Sequence, residues 1–314
     1  MTNIIQRFIA FLLVLCIPIF AIAGCTNNDV ANAANQVTTN ANGAYSIDTK
    51  TTVPEGKLDV YMLDIGQGDA ILLKVGDEYS MIDTGDIEHR ENIVAQLKTM
   101  GVTKLKNIII THPHADHMGG FYAIAKAMPI EHVYDDGIAV DNNMYKTYEK
   151  WIEKNKIQRT TLRSGDVVDF GHGAVFVVYA PWVEPLTDKK GETDLNNNSI
   201  VGKLIFGKFS MLFTGDAELQ EEKKLIKEQN SRLFSRILKV GHHGSRTSSS
   251  EDFLKSIKPE SALISNGMYN KYGHPHDVTL RRLQENNIAI YRTDMMGRIH
   301  ISTDGNEWQI TTER

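Results

Sequence analysis

Thr111-His112-Pro113-His114-Ala115-Asp116-His117-Met118-Gly119-Gly120 places three histidines and an aspartate within six residues. The run before it, Asn107-Ile108-Ile109-Ile110, reads as a buried strand. A strand end of this kind delivers a tight loop of imidazole and carboxylate to one spot. Groups packed so closely are costly to hold together without a shared purpose. A metal ion supplies one, since neutral imidazole and carboxylate suit zinc, manganese or iron.

Working outward, the same arrangement of strand, small turn and polar group recurs. Tyr79-Ser80-Met81-Ile82 runs into Asp83-Thr84-Gly85, residues 209–213 into Thr214-Gly215-Asp216, and residues 236–240 into Gly241-His242-His243-Gly244-Ser245. Active sites of layered α/β folds gather in this way, where a rigid sheet aims loop residues. Period-two alternation predicts strands from residue 57 to 65 and at 70–75, closing on Asp69 and a Gly66-Gln67-Gly68 turn. Helical spacing of Ile93, Val94, Leu97 and Met100 predicts a helix over 88–100, capped by Gly101. Further helices are expected at 121–128, 142–155, 218–229, 251–257 and 277–286. The strands between them make this an α/β protein.

The N-terminus is of another kind. The chain has 314 residues and two cysteines, Cys16 and Cys25, so nothing beyond residue 25 can form a disulfide and a metal site in the body must use nitrogen and oxygen. Residues 8–23 are almost wholly apolar, short for a membrane span and of the right length for a signal sequence. They end in Ile22-Ala23-Gly24-Cys25, small residues before a cysteine, which resembles a bacterial lipobox. The expectation is a lipoprotein signal over 1–25, lipid on Cys25, and an extracytoplasmic protein anchored to the cell membrane. Residues 26–56, rich in Asn, Ala and Thr, are expected to be a flexible tether to a domain over 57–314. The formal net charge of −5 gives no global basic footprint.

His112, His114, Asp116 and His117 form a His-x-His-x-Asp-His motif that resembles the signature of the metallo-β-lactamase superfamily. The resemblance implies an αββα four-layer sandwich. It implies that His112 and His114 serve one metal, that Asp116 and His117 serve a second, that Asp216 bridges the two, and that Asp83 stands behind the site. Leu63-Asp64-Ile65-Gly66-Gln67-Gly68-Asp69-Ala70, Asn196-Asn197-Asn198-Ser199, Lys239-Val240-Gly241-His242-His243-Gly244-Ser245 and Tyr272-Gly273-His274-Pro275-His276 narrow the likeness to the hydrolase domain of ComEC-type competence proteins. This chain looks like a lipid-anchored relative without the membrane channel.

One departure stands out. The superfamily's third first-metal histidine is replaced here by Asn196, Asn197, Asn198 and Ser199. An oxygen-richer site would favour manganese over zinc; the alternative is that one of the two divalent metals binds weakly. The resemblance implies a phosphodiesterase or nuclease acting on DNA or RNA through a water activated between two metals. Of His242 and His243, one is expected to ligate metal, with His243 the candidate, and the other to meet the phosphate or protonate the leaving oxygen. His276 joins Asp116, His242 and His243 as a catalytic candidate. Asn196, Ser199, Ser245 and His274 are substrate-binding candidates, and Asp69 and Asp83 are structural groups beside the site. A nucleic-acid substrate is expected, with membrane contact through the lipid alone and no protein partner evident. Competing readings are a phosphoesterase on envelope polymers such as phosphorylcholine-bearing teichoic acid, an amide or lactone hydrolase, and a non-catalytic DNA-uptake lipoprotein.

Overall fold

The computed structural model describes residues 56–314 and one short antiparallel pair, β1 (Val37–Thr39) and β2 (Tyr45–Ile47). That pair falls within the expected tether. The expected signal and Cys25 lie outside the described residues. Among the described residues no helix is long and apolar enough to cross a membrane.

Two sheets carry the rest. The first is built from β3 (Leu58–Met62), β4 (Ala70–Val75), β5 (Glu78–Thr84), β6 (Leu105–Ile109), β7 (Ile130–Asp135) and β8 (Gln158–Thr161). It is completed by β16 (Ile299–Thr303) and β17 (Trp308–Thr312), in the order β17-β16-β3-β4-β5-β6-β7-β8. The second contains β9 (Val167–Gly171), β10 (Ala174–Ala180), β11 (Val201–Phe206), β12 (Phe209–Phe213), β13 (Ile237–Lys239), β14 (Ser261–Ile264) and β15 (Ala289–Arg292), running in space from β15 to β9 in reverse chain order. Helices α1 (Arg90–Thr99), α3 (Phe121–Ala127) and α4 (Asn143–Asn155) pack on the first sheet. Helices α5 (Leu219–Gln229), α6 (Glu251–Ile257) and α7 (Asp277–Glu285) pack on the second.

Alternation along the strands sorts side chains between the layers. On β4, Ile71, Leu73 and Val75 face the inter-sheet core, while Ala70 and Leu72 join α1 and α3 outside. On β10, Ala174, Phe176 and Val178 point inward, and Val177 and Tyr179 face α5 and α6. Each sheet is therefore buried on both faces and sandwiched by helices, the four-layer αββα arrangement.

The strand directions decide where polar groups collect. β5 through β8 run parallel, as do β12 through β15. The C-terminal ends of β5, β6, β12, β13 and β14 meet at one edge of the sandwich and carry Asp83, the histidine loop, Asp216, His242-His243 and Ser265. Crevices at the carboxyl ends of parallel strands are the usual ligand sites of open α/β sheets.

Candidate metal centre

After β6 the chain turns through Thr111 and His112 into a four-residue helix, α2 (Ala115–Met118), which sequence periodicity is too short to reveal. Gly120 follows because the loop lies against β5: a Cβ there would sit 2.0 Å from the Thr84 carbonyl oxygen. From the other side the Gln67-Gly68 turn presses on α2. Gly68 takes φ +124°, and a Cβ on it would lie 2.5 Å from the Asp116 carbonyl, which accepts a hydrogen bond from Asp69 N at 3.0 Å.

Asp83, itself at φ 58°, orders the histidines. Its Oδ1 accepts from Thr111 N at 2.7 Å, and its Oδ2 accepts from Thr111 Oγ1 at 2.8 Å and from His117 Nδ1 at 2.7 Å. Since the Thr111 hydroxyl proton goes to Asp83, Thr111 Oγ1 receives His112 Nδ1–H at 3.1 Å. Both rings therefore turn Nε2 lone pairs inward, the tautomer that ligates a metal. His243 reaches the same state by donating Nδ1–H to Ser265 O at 2.9 Å, and His242 by donating Nδ1–H to Glu218 Oε1 at 2.9 Å.

Asp216 lies between two sets of these atoms. Its Oδ1 is 3.2 Å from His117 Nε2 and 3.7 Å from His243 Nε2. Its Oδ2 is 3.9 Å from His112 Nε2 and 3.6 Å from His242 Nε2. Asp116 Oδ2 stands 3.2 Å from His243 Nε2, and His114 Nδ1 stands 3.0 Å from His112 Nε2. Ligand atoms of Asp116, His117, Asp216 and His243 lie within 4.8 Å of one another. Of these, His117 Nε2, Asp216 Oδ1 and His243 Nε2 are buried and have no hydrogen-bond partner. Buried polar atoms are rarely left so. A divalent cation satisfies all three, and the donor set fits it.

Electrostatics agree. Burial raises the Asp216 carboxyl, yet His117, His243 and His112 outweigh it and hold its pKa well below the carboxylate range. Burial likewise pulls the His117 imidazole down, but Asp216 and Asp83 lift it well above its ordinary value.

The two paired histidines are separated by a strained turn. His242 and His243 both sit in the left-handed region, at φ 49° and 53°, which costs of order 1–3 kcal/mol for each such residue. The strain sends His243 to one side of Asp216 and His242 to the other. His242 thus approaches the Oδ2 side, where Asn196–Asn198 and Ser199 offer no imidazole. Glu218 behind it was not expected from the sequence, although it lies only two residues beyond Asp216.

Several substrate-binding candidates sit elsewhere than expected. Ser199 is fully buried, and its hydroxyl accepts from Asp216 N at 3.0 Å, which positions Asp216 and leaves the hydroxyl away from the site's opening. Ser245 is buried and engages Thr247 Oγ1 at 2.8 Å within its own loop, so its hydroxyl is already committed. Asn196 Nδ2 leans toward Glu218 Oε1 at 3.4 Å. His274 lies at the rim, its ring centroid 5.5 Å from that of His242, and burial lowers its pKa to about 4. His276 lies further out, its Nδ1 accepting from Arg246 N at 3.0 Å.

Lys239 belongs to a stretch that carries the family likeness, but the sequence gives it no role. It is 1% exposed beneath the site, in an ion pair with Asp69, and donates to Gly215 O at 3.0 Å. Burial opposes its charge, but Asp69 and Asp216 hold its pKa above the ordinary lysine value.

Residues 63–267 match the family model of the metallo-β-lactamase superfamily, and the chain belongs to that superfamily. Its His/Asp cluster is compatible with a dinuclear metal site of a superfamily hydrolase. Among curated relatives, it is similar to the competence protein ComA of Neisseria gonorrhoeae, 30% identical over 248 residues, covering 79% of this chain and 32% of that protein. It is also similar to ComE operon protein 3 of Bacillus subtilis, 29% identical over 264 residues, covering 78% of this chain and 33% of that protein. Both are ComEC-type competence proteins, and the chain spans about a third of their length. Among solved structures, CmlA, a diiron β-hydroxylase from Streptomyces venezuelae, shares the fold with a TM-score of 0.52 at 14% identity, over 80% of this chain and 55% of that one.

Two outcomes are expected. Chelation lowers the melting temperature, and zinc or manganese at about a hundred times its Kd restores about 2.7 kcal/mol, or roughly 5–10 °C; a melting curve indifferent to both ions and to chelator rules the centre out. Lys239→Met strands Asp69 in the interior and destabilises the chain by about 3–5 kcal/mol in denaturant titration. A loss below about 1 kcal/mol, the scale of a surface pair, denies Lys239 its organising part.

Proposed function

We propose that this protein is an extracytoplasmic, metal-dependent phosphodiesterase that acts on nucleic acid. The observation that carries the reading is the two-sided Asp216: histidine nitrogens face each carboxylate oxygen, and half-exposed imidazoles line the rim above. Two divalent metals, if held there, would supply Lewis acidity to a phosphoryl oxygen and make a water more acidic. His117, His243 and Asp116 form one half of their site, with His112 and His114 in the other. His242 faces the same Asp216 oxygen as His112, and Glu218 fixes its tautomer. This nitrogen removes the premise for preferring manganese by hardness, and either ion suits the set. His274, held neutral by burial beside three other histidines, is a hydrogen-bond partner for a phosphate oxygen. His276 lies nearer solvent, where a leaving oxygen is protonated. Relatives named for competence and for recombination support a nucleic-acid substrate.

The purified full-length chain, stripped of metal, is offered manganese or zinc with DNA, RNA, bis-(p-nitrophenyl) phosphate and nitrocefin. Phosphodiester cleavage is expected with at least one ion, and nitrocefin should stay intact. Asp116→Ala and Asp216→Ala should lose activity by at least about a hundredfold, and Glu218→Gln, acting through His242, by about 10–100-fold. No cleavage with either ion, or ligand variants as active as wild type, would falsify the reading. The location rests on Cys25: labelled palmitate should enter the protein and be lost in Cys25→Ala. Unchanged labelling of that variant refutes the anchor.

A further inference from the structure

Two adjacent acids on α5 are buried, and only one of them is provided for. Glu222 accepts the backbone N–H of Ser249 and, at 3.0 Å, that of Ser250. Glu221 is 0% exposed, and neither of its carboxylate oxygens has a hydrogen-bond partner among the described residues. A buried carboxylate is normally paired or hydrogen-bonded, because its charge is otherwise very costly there.

The neighbours make charge on Glu221 harder still. Burial, then Asp194, Glu222 and Asp136, push its carboxyl well above the usual carboxylate range, against Lys224. Lys224 itself lies over the Trp182 ring at 4.0 Å. Asp136 comes from the other half of the sandwich, just past β7. It is also buried, and its Oδ2 also lacks a partner. Asp136 is nonetheless better furnished for charge. Burial and Asp135 raise its carboxyl, but Ile138 N donates to its Oδ1 at 3.0 Å, and Arg163 and Arg159 favour the charged form. Of the two acids, Glu221 is therefore the one built to stay neutral.

Glu221 sits where a charge would be felt at the centre. Its N–H donates to Asn197 Oδ1 at 3.0 Å, and Asn197 in turn donates its N–H and Nδ2 to Asp194 at 3.1 and 2.8 Å. Glu218, one turn earlier, accepts Glu222 N at its carbonyl and His242 Nδ1 at its carboxylate, both at 2.9 Å. The first turn of α5 thus carries both the buried acid and the partner of His242. An ionised Glu221 finds no donor where it stands, and reaching water requires that turn to move.

We propose that Glu221 is a proton latch: its neutral acid lets the first turn of α5 dock, and its ionisation undocks that turn and with it Glu218. On opening, the O–H bond of the acid breaks and the proton passes to solvent. Nothing in the latch depends on what the centre hydrolyses.

A carboxyl whose folded-state pKa is raised contributes stability that is complete below its unfolded value, near about 4.3, and is lost as pH rises toward the folded one. Denaturant titrations of the full-length chain, in chelator so that metal adds no pH dependence of its own, compare wild type with Glu221→Gln from about pH 5 to about pH 8. The folding constant of wild type relative to the variant should fall about tenfold per pH unit, one proton's worth, over the part of that interval below the folded-state value. At about pH 8, Glu221→Gln and Glu221→Met should both be at least as stable as wild type, since neither brings a charge. Parallel pH dependence of wild type and variants, or both variants falling below wild type at the upper pH, overturns the proposal. A pH dependence kept in Glu221→Gln but lost in Asp136→Asn moves the proton to Asp136 and overturns it too. Undocking is read on wild type alone, by amide exchange of Leu219, Glu221 and Glu222, which are bonded to Thr247 O, Asn197 Oδ1 and Glu218 O in the docked turn. Corrected for the intrinsic pH dependence of exchange, these amides should quicken with rising pH ahead of the rest of α5. Exchange that stays in step along the whole helix overturns the undocking.

Discussion

The buried pair between Lys239 and Asp69 is the contact on which the site depends. Lys239 ends a strand of the second sheet and Asp69 precedes a strand of the first, so one cation spans the sandwich. Removing two charges from water is expensive, and their attraction repays it only when the remaining bonding capacity is filled. On the lysine side a backbone carbonyl of the site fills it, and the chain at Asp69 is tied to the site through its own N–H, while Asp69 Oδ1 has no hydrogen-bond partner. Lys239 holds Gly215 O, one residue before the bridging aspartate, and Asp69 N holds Asp116 O. The pair therefore sets the spacing between Asp216 and Asp116, which come from different sheets.

Asp83 performs the matching task within the first sheet. Through Thr111 it dictates the proton position on His112, and directly it dictates that on His117. The centre thus gathers four carboxylates, Asp69, Asp83, Asp116 and Asp216, around a single permanent cation. The pKa of Asp216 is held down and that of His117 is held up by the same contacts, so carboxylate and imidazole favour each other's charged forms.

Much of this was legible in the sequence, for a physical reason. Strands buried on both faces announce themselves as apolar runs, and the polar residues that end them stand out. The strand over residues 105–109 and the helices at 251–257 and 277–285 fall within a few residues of their expected places. The four-layer architecture is implied only by the family resemblance that the histidine motif carries. What stayed hidden depends on distance in sequence. Lys239 lies in the apolar run Ile237-Leu238-Lys239-Val240, where a lone cation was a signal that went unread. Glu218 acquires meaning only once His242 turns toward it. Ser199 reads as a substrate-binding candidate in the sequence, but in the fold its hydroxyl accepts from Asp216 N. The division of labour between His242 and His243 is set by two left-handed residues in succession, a backbone state that no composition betrays.

The ligand set is divided between the two halves of the sandwich, with Asp116 and His117 on one and Asp216 and His243 on the other. An ion held by all four would tie the two sheets together at that edge, above an apolar core that already joins them. Its removal would then loosen the mouth of the site while the body of the sandwich stays closed, a local opening and not an unfolding.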